Sequence, residues 1–138
     1  ILLHGNHPTD YAAALAAKRR TGDDLTAMKD ALVTMRDAPY GSVMWLKTDL
    51  EFHKTVAAAT GNLYMVQFLM FVSERVRESI LASGNQQRSE DLAAVTLGEH
   101  QRILDAIEAG DGDEARDAMR AHLHGAANRV GLAGEQPE

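Results

Sequence analysis

Asp49 and His53 stand four residues apart in the stretch DLEFHKTVAAATGN, and on a helix that spacing puts both side chains on one face, a turn apart. A carboxylate and an imidazole held this way can grip a single ligand. Their neighbours on that face, Leu46, Leu50, Val56 and Ala57, are apolar, so the pair is expected to point into the protein. A buried carboxylate is costly unless a cation or strong donors compensate it. Asp49 therefore requires a partner.

His100 follows the same logic, because Ala93, Leu97, Leu104 and Ile107 recur at helical spacing on its side while Glu99 and Arg102 fall elsewhere. Further on, Ala115, Met119, His122 and Ala126 form an apolar stripe. His124 sits about 200° round from His122 and joins Asp117 and Arg120 on a wetter face. Three histidines and one aspartate on three separate helices are thus expected to aim at one interior volume. Neutral imidazoles with one carboxylate suit a single divalent ion, zinc being the first choice and nickel, manganese or iron the alternatives, with open positions for water or an anion. Taken singly, each histidine reads more simply as a core residue bonded to a carbonyl, and Asp49 as an ion-pair partner for an arginine. The coincidence of four inward residues favours the metal. His4, His7 and His124 are assigned no site.

Arg75 is the candidate for a ligand carboxylate, against the plainer reading of a solvated arginine; the same choice holds for Arg77. Asn62 reads as a helix cap, and Met65, Phe68 and Met70 as core or dimer surface. The chain carries no Gly-rich phosphate loop, no G-x-S-x-G, no H-E-x-x-H and no E-x-x-H pair, which leaves most catalytic classes without their residues. A small metallohydrolase using the same three-His, one-Asp site is the enzymatic alternative. It needs a general base, and no unassigned Glu or Asp on an inward stripe stands out. A purely structural dimerisation bundle is the third reading.

The elements that must carry these residues are helices. The chain has 138 residues, 45% of them hydrophobic and 25% charged, the size and composition of one globular domain. Only three prolines occur, and no stretch alternates as a strand would. Helices are expected over Asp10 to Arg20, from a cap at Thr21 to Arg36, over Ser42 to Thr60, over Leu63 to Leu81, over Ser89 to Ala109, and from a cap at Asp111 to Val130. Gly61 is a natural helix terminator, and Ser83 to Arg88 reads as a loop. The Leu63 segment, apolar all round in LYMVQFLMFV, is expected at the centre of the bundle or half-buried in a dimer. Short connections make the fold an all-α antiparallel bundle of six or seven helices. Residues 1–130 form that bundle, and 131–138 a flexible tail.

A net charge of -6 has the wrong sign for gripping nucleic-acid phosphates. Cysteine is absent, so a metal here is held by nitrogen and oxygen. No apolar run approaches the roughly 20 residues of a membrane span, and a signal peptide is not recognisable, so the expected location is cytoplasmic.

The string DLEFHKTVAAATGN, followed by LGEHQRILDAIEAGDGDEARDAMRAHL and preceded by AAALAAKRRTGDDLTAMKDALVTMRDA, resembles the FCD domain, the ligand-sensing C-terminal domain of the FadR-like branch of GntR-type transcription regulators. The resemblance covers most of the chain. It implies an antiparallel helical bundle with a central cavity and a divalent metal held by Asp49, His53, His100 and His122. It further implies a homodimer and a small carboxylate metabolite that changes the DNA affinity of an N-terminal winged helix-turn-helix domain. That DNA-binding domain is absent from this chain, which is either a sensor fragment or a domain with a standalone role.

Overall fold

Four of the helices begin where a short polar side chain satisfies an orphaned amide of the first turn. Thr21 accepts from the Asp24 amide at 3.1 Å while Asp24 accepts from the Thr21 amide at 2.9 Å, a reciprocal capping box. Ser42 accepts from Trp45 at 3.1 Å, Asn62 from Tyr64 at 2.9 Å, and Asp111 from Glu114 at 3.0 Å. The acid of the last cap does not bond back, because Glu114 turns to Arg102 at 2.7 Å. Gly61 and Gly110 end their helices with φ of +74° and +75°, the left-handed conformation in which a side chain would be strained.

The computed structural model describes residues 8–83 and 90–129. It contains six helices among those residues: α1 (Pro8–Arg19), α2 (Gly22–Asp37), α3 (Val43–Ala58), α4 (Leu63–Ser83), α5 (Glu90–Ala109) and α6 (Gly112–Arg129). His4 and His7, all but the first residue of the expected Ser83 to Arg88 loop, and the expected tail at 131–138 lie outside the described residues.

Sequence neighbours pack together only in part. α2 lies on α3 and α5 on α6, but α1 packs on α6, α5 and α3 rather than on α2. The link between α1 and α2 is Arg20 and Thr21, too short to fold the chain back on itself. α1 and α6 pack together, and their buried core positions are small: Ala13, Ala16 and Ala17 on one, Ala115 and Ala118 on the other. Larger groups fill the middle: Phe52, Met28, Leu32, Ile103, Ile107 and Met119 are fully buried, on α2, α3, α5 and α6.

α4 is not central. It packs on α3 and one edge of α1, and Leu63, Tyr64, Phe68 and Phe71 stand exposed along it. An all-round apolar helix does belong in an interior, but within one copy of this chain α1, which packs on α3, α4, α5 and α6, fills that place.

Candidate metal centre

α3 places Asp49 and His53 one turn apart, α5 supplies His100 from its middle, and α6 supplies His122 from its second half. One donor atom from each of the four lies within 4.8 Å of every other. Asp49 Oδ1 is 2.8 Å from His100 Nε2 and 3.5 Å from His53 Nε2, and the Nε2 atoms of His53 and His122 are 3.1 Å apart. A metal with bonds of about 2.1 Å separates adjacent ligand atoms by about 3.0 Å in an octahedron and about 3.4 Å in a tetrahedron. The three separations bracket that range. His53, His100 and His122 are buried and Asp49 half-buried, and the Phe52 ring meets both His53 and His100 edge-on, closing the cluster on its core side.

Hydrogen bonds outside the cluster determine which ring nitrogens carry protons. His100 Nδ1 is 2.7 Å from the Thr96 carbonyl oxygen, which can only accept, so Nδ1 donates. Its Nε2, 2.8 Å from the Asp49 carboxylate, is then either a second donor to Asp49 or, with a cation between the two, a bare lone pair. His122 Nδ1 likewise donates to Glu99 Oε1 at 2.7 Å, leaving its Nε2 bare against His53 Nε2. Nitrogen and oxygen donors thus converge on one volume that a shared cation could occupy. The donor set fits a divalent ion held by N and O ligands.

The electrostatics agree. Burial works against the Asp49 charge, but His53 and His100 outweigh it through charge and hydrogen bonding and hold its carboxyl well below the usual aspartate value. Burial pushes the His122 ring down to about 4, against the pull of Glu99, so the ring is neutral and ligand-competent at neutral pH. Glu99 is also opposed by burial, yet its bonds from His122 and Arg129 keep it below the ordinary glutamate value.

A cavity of about 80 Å³ adjoins the cluster, with Asp49, His53 and His122 in its wall. At about 10–15 Å³ per enclosed water, it has room for a molecule of on the order of six heavy atoms. Trp45, Leu46 and Leu69 give it apolar sides, and Tyr40 and Arg129 polar ones. Tyr40 and Trp45 pack ring to ring at 4.8 Å.

Arg75 is elsewhere: it is exposed, pairs with Glu78 at 3.0 Å and lies over the Phe71 ring at 5.4 Å. His124 is exposed, outside the cluster. Three residues escaped the stripe reading. Glu99, placed off the His100 face, nevertheless reaches α6, because its side chain is long enough to cover the 100° that separates it from His100. Arg129 holds Glu99 through two bonds of 3.1 and 2.8 Å. Asp10 is a fully buried acid that takes Arg120 Nε at 3.1 Å, so an unassigned inward carboxylate does exist. It is not part of the cavity wall, and the first-turn position of Asp10 gave no inward stripe to judge it by.

The fold and its interior His/Asp cluster beside a small cavity define an all-helical domain with a candidate metal or ligand site. The profile of the FCD domain matches residues 10–125, and the chain belongs to that family, the ligand-sensing domain of GntR-family transcription regulators. It is 33% identical over 113 residues to the HTH-type transcriptional regulator LutR of Bacillus subtilis (strain 168), covering 80% of this chain and 52% of that protein. Among solved structures it is similar to Streptococcus agalactiae GntR, with a TM-score of 0.71 and 27% identity over 87% of this chain and 52% of the other. It also shares its fold with E. coli McbR/YncC, at a TM-score of 0.78 and 14% identity over 89% of this chain and 62% of the other. The chain thus spans about half the length of LutR. The curated relative LutR is a transcription regulator, not an enzyme. No helix among the described residues is long and apolar enough to cross a membrane.

Proposed function

We propose that this domain senses a small carboxylate metabolite through one divalent metal, zinc before nickel, manganese or iron, held by Asp49, His53, His100 and His122. The observation that carries the reading is the convergence of four donor atoms within 4.8 Å, with the His100 and His122 rings oriented by bonds to Thr96 and Glu99. The metal supplies Lewis acidity and positive charge where an anion would dock. The protein's own part is to aim the imidazole nitrogens at one point, with the His122 ring neutral, to keep Asp49 ionised, and to offer a cavity whose apolar walls admit only a small molecule. Arg129 and Tyr40, which line the cavity as Arg75 does not, would meet a second end of such a ligand.

In the full regulator, of the FadR-like branch and cytoplasmic, the domain pairs with a second copy through the exposed apolar residues of α4, and an N-terminal winged helix-turn-helix domain binds the operator. The ligand acts by population shift: it contacts two arrangements of the bundle unequally, and the difference reorients the DNA-binding domains.

The test is a thermal-shift series with and without chelator, combined with metal analysis of the purified protein. About one ion per chain is expected, with a melting temperature raised by zinc and raised again by a carboxylate ligand in its presence. His100→Ala and His122→Ala should each abolish the zinc-dependent rise. Wild-type protein that contains no metal before chelation and does not respond to added zinc would refute the site.

A further inference from the structure

Glu99 occupies a notch in α6. His122, Gly125 and Arg129 lie on one face of that helix, and the Glu99 carboxylate enters between them: His122 Nδ1 donates to Oε1 at 2.7 Å, and Arg129 grips both oxygens at 2.8 and 3.1 Å. A Cβ at position 125 would sit 2.8 Å from Glu99 Oε2 and 3.1 Å from Arg129 Nη1, so any larger residue there would displace the carboxylate. Glycine inside a helix costs about 1 kcal/mol against alanine. At Gly125 that loss is matched by a definite gain, the room in which Glu99 sits.

We infer that Glu99, seated at Gly125 and clamped by Arg129, is a positioning residue that selects the Nδ1–H tautomer of His122 and so aims the Nε2 lone pair into the cluster. A carboxylate facing Nδ1 stabilises the proton there, and a ring protonated at Nδ1 has Nε2 free to ligate. Arg129 fixes the position and angle of that carboxylate through two bonds, so the acceptor facing His122 Nδ1 is held in place and the ring cannot turn without losing it. His100 is oriented by a backbone carbonyl, which no side-chain change removes. His122 depends on a side chain, and its orientation is therefore open to mutation.

The inference rests on the proposed metal site, but its first readout needs no metal. Long-range proton–nitrogen correlation spectra of chelator-treated protein report which nitrogen of His122 carries the proton. Wild type should show Nδ1–H, Glu99→Ala should shift the ring toward Nε2–H, and Glu99→Gln, which keeps an oxygen acceptor, should restore the wild-type pattern. Zinc affinity measured by chelator competition should fall by about 10- to 100-fold in Glu99→Ala and recover to within a few-fold in Glu99→Gln. Gly125→Ala covers the case in which Glu99→Ala fails to fold, since alanine favours the helix: its tautomer and affinity should move in the direction of Glu99→Ala while its metal-free melting temperature holds or rises. An Nδ1-protonated His122 in Glu99→Ala, or in Gly125→Ala, together with undiminished zinc affinity, would overturn the inference. Wild type that binds no zinc would overturn the function instead, with the His122 spectrum still deciding the role of Glu99.

Discussion

At the scale of single residues, His122 couples the state of the site to pH. In the metal-free protein its ring is pushed down to about 4, while in the unfolded chain it titrates near 6.5. The unfolded state therefore takes up the proton first as the solution is acidified. Stability contributed by the neutral buried ring is complete above about pH 6.5 and is lost as pH falls toward 4, with a ceiling of roughly 3 kcal/mol at 1.36 kcal/mol per unit. Asp49 and Glu99, both held below their ordinary values, add further losses in the same direction once the pH drops below the unfolded carboxylate range. Urea denaturation in the presence of chelator at pH 7, 5.5 and 4.5 measures this. A midpoint unchanged between pH 7 and 4.5 would show that His122 is not buried as a neutral ring.

Helices in this chain are delimited by local signals that act over three or four residues. The Thr21–Asp24 box is the most complete of them, with both halves formed, and it starts the helix that carries Met28 and Leu32 into the core. Thr21→Ala should lower stability by about 1 kcal/mol, seen as a lower urea midpoint with an unchanged slope. A change of slope would mean that the denatured state, not the cap, was altered. The same short-range chemistry explains why Gly61–Asn62 and Asp111 mark element ends in the bare sequence: each signal is complete within a few residues of itself.

For the molecule as a whole, the contact between the first helix and the last decides the topology, and it includes a buried charge. Asp10 is fully buried, with one oxygen on Arg120 at 3.1 Å and the other without a partner among the described residues. Arg120→Met should destabilise the domain by about 2–3 kcal/mol, below the full loss for a buried pair because Arg120 is partly exposed. Asp10→Asn combined with Arg120→Met should recover part of that loss, since no uncompensated charge remains. Denaturation of the two variants in parallel checks it; equal losses would mean that packing, not charge, accounts for Arg120.

Helix type, most helix ends and the inward faces carrying Asp49, His53, His100 and His122 were legible in the sequence, because each follows from a rotation of 100° per residue and from caps a few residues long. The residues that support them were not. Glu99 lies off the inward stripe and acts through its length, Arg129 and Gly125 matter only because Glu99 arrives between them, and Asp10 meets Arg120 across 110 positions of sequence. The placement of α4 at the edge was hidden for the same reason. An apolar surface says that a helix will be covered, whereas which helix covers it depends on non-local packing that no local pattern encodes.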